Sequence, residues 1–143
     1  MKIKILVSGK TKEKIYLKKI LNYKKWISSH SKIEILYLKD NDLKRLSENQ
    51  IIYLNKINFS IALTEQGSQL NSIDFANFIQ NKNVELLFII GPPNGLSQAV
   101  IEKSDYQLSL SKFTLPHELS FLVLMEQLFR EISIINGSKY HRD

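Results

Sequence analysis

An α/β fold, with a mostly parallel sheet flanked by helices, is predicted by three features of this sequence. Apolar, strand-like runs alternate with helix-sized segments five times along the chain. Most of these runs are dense in Ile, Leu and Val, as in strands covered on both faces, and do not alternate apolar with polar residues. Turn-forming residues follow the last three runs, which is where an open α/β sheet binds its ligands.

The elements follow in order. "IKILV" (residues 3–7) leads into a lysine-rich helix over 11–29, for which Ile15, Leu17, Ile20 and Leu21 are the expected packing stripe. "IEILYL" (33–38) precedes a helix over 41–54, and "INFSIAL" (57–63) precedes one over 72–80. "VELLFII" (84–90) leads to a short helix over 96–103, and "YQLSL" (106–110) to the longest, over 118–135. No repeat, low-complexity tract or linker interrupts this order, so residues 1–143 read as a single domain large enough to bury a core.

Composition narrows the function. A chain 43% hydrophobic and 24% charged fits a soluble globular protein. No apolar run approaches the roughly 18 residues of a membrane span, and the apolar stretch before Gly9 is too short for a signal peptide. A cytoplasmic protein without membrane association is therefore expected. The absence of cysteine excludes disulfides and thiolate zinc sites, and no metal is implied. The net charge of +6 is uneven: residues 1–50 hold 13 Lys and Arg against 5 Asp and Glu, residues 51–143 hold 7 against 9. A basic half points to a polyanion met by one end of the molecule. Lys10 and Lys12 open the stretch "GKTKEKIYLKKILNYKKW", whose seven lysines are either a solvated helix face or phosphate contacts.

Three late loops, "TEQGSQLNS", "GPPNGLS" and "SKFTLPHE", are expected to open on one sheet edge and form one pocket. In the glycine turn, Gly91 lets the backbone approach a ligand and Gly95 can take positive φ before a helix start able to receive an anion. The turn matches neither a dinucleotide fingerprint nor a phosphate-binding P-loop, and a plain strand-to-helix turn is the simpler reading. "SLSKFTLPH" brings backbone amides, hydroxyls, an amine and a ring together, the parts for holding a flat heterocycle. Pro116 suits a helix N-terminus.

On the last helix, Phe121, Leu122, Leu124, Met125, Leu128, Phe129, Ile132 and Ile135 fill an arc of roughly 160°, wider than the roughly 100° of a one-sided surface helix. With no further helix to cover it, a second subunit is expected there. Glu126 and Arg130 lie opposite at i and i+4, as an intrahelical pair or with Arg130 meeting a phosphate. The tail "GSKYHRD" carries Tyr140, His141 and Arg142, which either fray in solvent or reach a neighbour's pocket.

These stretches together resemble the ribosomal RNA large subunit methyltransferase H family of SPOUT methyltransferases. The likeness covers nearly the whole chain: "MKIKILVSGKTKEK", "LTEQGSQLNSIDFA", "IIGPPNGLS" and the block "YQLSLSKFTLPHEL...EQLFREISIINGSKYHRD". The resemblance implies a SPOUT-type α/β fold with a carboxyl-terminal trefoil knot. It also implies a homodimer that transfers a methyl group from S-adenosylmethionine to N3 of a pseudouridine in 23S rRNA, on the assembled ribosome. Cofactor contacts carried over by motif are Leu63, Gly91, Leu110, Ser111, Lys112, Phe113, Thr114 and Leu115, and RNA contacts are Lys10, Lys12, Arg130 and Arg142. This chain departs from the pattern in three places. Gly91-Pro92 stands for the usual Gly-Gly, Phe121 for an arginine, and the segment between the second and third strands is short, so the helix there should be abbreviated. N3 of pseudouridine must lose a proton, and an imidazole suits a general base. His141 is the preferred catalytic residue, with Tyr140 to stack on or orient the base, His117 second, and His30 unsuited on a helix end. The alternatives are a non-catalytic RNA-binding or assembly factor of the same fold, and a SPOUT enzyme for another RNA.

Overall fold

The structure is a computed structural model and describes residues 1–39 and 41–142. Its elements are β1 (Lys2–Ser8), α1 (Lys14–Ser28), β2 (Lys32–Leu38), α2 (Leu43–Leu54), β3 (Phe59–Ser68), α3 (Ser72–Lys82), β4 (Leu86–Ile90), α4 (Gln98–Lys103), β5 (Tyr106–Leu108) and α5 (His117–Ile135). The strands pair in parallel throughout, in the order β2-β1-β4-β3-β5. The expected alternation of strand and helix is therefore present, and α2 is the abbreviated helix.

The period of two along each strand sorts side chains into two layers. Ile3, Ile5 and Val7 of β1 and Leu86, Phe88 and Ile90 of β4 pack with α1, α3 and α5. Leu6, Leu87 and Ile89 face the other way, with Leu54 of α2 and Val100 of α4. Every residue of β4 is buried, which is why "LLFII" carries no polar position. Each such side chain contributes roughly 1.5–3 kcal/mol by leaving water.

Two expectations about packing fail. Ile15 and Leu21 are 70% and 50% exposed. The stripe of α1 is instead Tyr16, Ile20, Tyr23 and Ile27, spaced three and four residues apart. The wide apolar arc of α5 also does not go uncovered within the chain, because α1 and α3 pack along it. Phe129 meets Tyr23 and Trp26 of α1 at centroid distances of 5.8 and 5.5 Å, and Gln127 accepts a 2.7 Å hydrogen bond from Ser72 of α3. The arc is wide because α5 is the middle helix of its layer. Phe121, at the position of the family's arginine, is part of that core at 1% exposure.

The third strand runs past its expected end. Leu63 and Ser68 both pair with Leu108, so residues 64–67 stand out from the ladder as a bulge. Gly67 makes this possible: a Cβ there would lie 2.6 Å from the carbonyl carbon and oxygen of Gln107.

Candidate active site

The ends of β3, β4 and β5 open on one crevice of about 420 Å³, within the range of cofactor pockets. Leu63, Thr64, Glu65 and Gln66 form one wall, Gly91 to Leu96 the second, and Leu110, Ser111, Phe113, Thr114 and Leu115 the third. Three loops distant in sequence thus converge, as the strand order requires. Lys112 belongs to the third loop but does not line the crevice, whereas His117 and Ser120 of α5 do.

Each wall has a local cause. In the glycine turn, Gly95 sits at φ +86°, and its N–H donates to the Pro92 carbonyl at 2.8 Å. Gly91 is needed because the turn folds back on it: a Cβ would lie 2.8 Å from both Gly95 C and Leu96 N. Ser97 then caps α4 through the Val100 N–H at 3.2 Å, and its hydroxyl shares a 2.7 Å bond with Ser47 of α2. In the third loop, Ser109 Oγ donates to the Ser111 carbonyl and Ser111 Oγ accepts from the Phe113 N–H, both at 2.9 Å. Thr114 Oγ1 donates to Glu65 at 3.0 Å, tying this loop to the β3 bulge across the crevice. Phe113 is left 80% exposed at the rim.

Beside the crevice lies the amino-terminal lysine loop. The N–H groups of Lys12 and Glu13 both donate to Glu118 Oε1, at 2.7 and 2.9 Å. Glu118 follows His117 at the start of α5, so the exposed Lys10 and Lys12 are fixed next to the pocket. This anchor also explains why α1 begins three residues later than its pattern suggests.

The tail does not fray. Arg130 donates to Glu126 through Nε at 3.1 Å and Nη2 at 2.5 Å, and Tyr140 OH donates to the same carboxylate at 3.1 Å. Arg130 Nη1 lies 3.1 Å from His141 Nδ1, and its guanidinium stacks 4.9 Å over the Tyr140 ring. Tyr140 also packs on Phe129 at 4.6 Å. Burial, Glu126 and Tyr23 push the Tyr140 phenol up to about 12, so it is a donor at neutral pH. The Glu126 hydrogen bond, opposed by partial burial, holds Arg130 still more firmly protonated. At 1.5 Å per residue, Arg130 lies about 20 Å along α5 from His117. Tyr140 and His141 are therefore outside their own chain's crevice. Among the described residues no group of acidic, histidine or cysteine side chains could hold a metal ion, and no helix is long and apolar enough to cross a membrane.

A parallel sheet with a loop-walled crevice at its carboxyl edge is the arrangement of the SPOUT methyltransferases, and the family model described as "Predicted SPOUT methyltransferase" matches residues 1–141. Solved structures agree at the level of fold. A probable methylase family protein from Haemophilus influenzae superposes with a TM-score of 0.61 at 10% identity, over 99% of this chain and 70% of that one. The SpoU methyltransferase AviRb from Streptomyces viridochromogenes, in complex with AdoMet, gives 0.52 at 13% identity, over 91% and 57%. Among curated proteins, "Ribosomal RNA large subunit methyltransferase H" of Streptococcus agalactiae is 39% identical, covering 99% of this chain and 100% of its own. Those of Carboxydothermus hydrogenoformans and Prochlorococcus marinus are 34% and 39% identical, each over 99% of this chain and 100% and 97% of their own. The chain belongs to the ribosomal RNA large subunit methyltransferase H family and is an rRNA methyltransferase of the SPOUT class.

Proposed function

We propose that this methyltransferase takes its methyl group from S-adenosylmethionine and places it on N3 of a pseudouridine in 23S rRNA. It does so in the cytoplasm, as a knotted homodimer, on the assembled ribosome. The observation that carries the reading is the crevice, whose size, three converging loops and short-range backbone geometry suit a cofactor with a flat base and a polar tail. Leu63, Gly91, Leu110, Ser111, Phe113, Thr114 and Leu115 hold the cofactor there, with Lys112 beside it on the same loop. Pro92 removes one backbone donor from this wall. When bound, the cofactor supplies an electrophilic methyl carbon on a sulfonium. Holding it against the acceptor nitrogen accounts for much of the rate, since orientation converts a bimolecular step into a unimolecular one.

The tail supports the dimer. Tyr140 and His141 are ordered against α5 far from their own crevice, so a site containing both needs a second copy. Beside them lies an aromatic surface of Tyr23, Trp26 and Phe129, in which Trp26 remains 45% exposed. Lys10, Lys12 and Arg142 are exposed and supply phosphate contacts. Arg130, also expected at a phosphate, spends its donors on Glu126 and His141. Calorimetry with S-adenosylmethionine tests the cofactor: micromolar binding is expected, and no heat of binding overturns it. Mass spectrometry of 23S rRNA from a strain lacking the protein should reveal one pseudouridine without its methyl group. An unchanged modification pattern overturns the substrate.

A further inference from the structure

We propose that His141 serves the acceptor base as a hydrogen-bond donor through Nε2–H, and not as the base that removes the N3 proton, because Arg130 fixes its tautomer. The inference rests on the reading that the tail enters the partner's crevice.

Arg130 Nη1 is 3.1 Å from His141 Nδ1. A guanidinium has donors only, so Nδ1 must present its lone pair, and the one proton of the neutral ring sits on Nε2. For Nε2 to act as a base, that proton would have to move to Nδ1, where it would face the N–H of Arg130. Protonating both nitrogens would also set a second cation against the first. The guanidinium cannot easily turn away, because Glu126 Oε1 holds its Nε and Nη2 and the Tyr140 ring lies over it. The charged and titratable groups around the imidazole are Arg130 and Glu126 of α5, Tyr140 and Arg142 of the tail, and Tyr23 of α1, which interacts with Tyr140. Glu126 is spent on Arg130 and Tyr140 through Oε1 and on Gln127 through Oε2. The chain of Glu126, Arg130 and His141 therefore orients a donor.

A donor is useful in this reaction. N3 of pseudouridine lies between two carbonyl groups, and losing its proton places negative charge on their oxygens. An N–H aimed at one of them stabilises that charge as it forms. The proton passes to solvent water. The N3 lone pair forms the new bond to the methyl carbon, and the carbon–sulfur bond breaks with both electrons on sulfur. Arg130 and Glu126 are then positioning residues and His141 a catalytic one.

Two measurements test the proposal. Nitrogen-resolved NMR of the imidazoles in the folded dimer reads the tautomer without any turnover: a proton on Nε2 of His141 is expected, and a proton on Nδ1 overturns the proposal. Single-turnover methylation of ribosomes lacking the modification reads the role. His141→Ala should slow the step about 10²–10³-fold, the cost of one lost donor of this kind. His141→Gln, which keeps an N–H at similar reach but has no basic nitrogen, should stay within about tenfold of wild type. The wild-type rate should go on rising with pH through and beyond the imidazole range near 6.5. A rate that levels off above that range, with His141→Gln as slow as His141→Ala, assigns the ring as the base and overturns the proposal. Full activity in His141→Ala overturns the underlying reading instead, because the tail then does not meet the acceptor.

Discussion

At Glu131 a carboxyl group lies on the buried side of α5, one heptad beyond Leu124, with neither oxygen hydrogen-bonded. Burial, and less strongly the charge of Glu126, raise it from an ordinary value near 4.5 to about 8, against the opposing pull of Arg130. It is therefore mostly protonated at neutral pH. In the unfolded chain the same group ionises near 4.5, so the folded state holds the extra proton between about pH 4.5 and pH 8. Stability tied to this group is full below that window, is lost as pH rises through it, and changes no further above it. Glu131→Leu removes both the unpaired polar atoms and this loss. It should raise stability by about 1–3 kcal/mol, the penalty of an unsatisfied buried polar group, and by more at pH 9 than at pH 5. Denaturant unfolding at the two pH values checks this, and an equal gain at both would assign the stabilisation to packing alone. Nothing in the sequence marks Glu131 as buried: it interrupts the arc at a position where a helix with one covered side would meet water. Only the presence of α3 on that side makes it interior.

The elements themselves were largely legible, because apolar density marks buried strands and a 3.6-residue period marks helices. What periodicity cannot report is which elements become neighbours. That is why the stripe of α1 was misassigned to Ile15 and Leu21, and why α5 seemed uncovered. The overrun of β3 has the same origin. Thr64, Glu65, Gln66 and Gly67 read as a turn, and they do leave the ladder, but Ser68 returns to pair with Leu108. Gly67 is the residue that sequence reasoning passed over, since glycine in "TEQGS" reads as ordinary turn punctuation. Its requirement comes from the backbone of β5, and backbone cannot move aside as a side chain can. Gly67→Ala should therefore cost about 1–3 kcal/mol as an overpacked site, measured by denaturant unfolding. It should also weaken S-adenosylmethionine binding in calorimetry, because the same bulge carries Glu65, which holds Thr114. Normal cofactor affinity in a destabilised Gly67→Ala would separate the bulge from the crevice wall.

For the molecule as a whole, the crevice was legible and its completion was not. Three turns at the carboxyl ends of successive strands foretell a single pocket from topology alone, whereas the path of seven terminal residues depends on side chains that meet only in the fold. The crevice lies at the start of α5 and the tail cluster near its end, and α5 is too long for one chain to join them. A composite dimer predicts complementation. Ser111→Trp fills the crevice and leaves the tail intact; His141→Ala disables the tail and leaves the crevice intact. Each homodimer should be nearly inactive. After the two are unfolded and refolded together, half the dimers are mixed, and each mixed dimer holds one site with both parts whole. Activity should return to about a quarter of wild type for random twofold assembly. A site built within one chain would give no recovery at any mixing ratio, because no protomer in the mixture carries both intact parts.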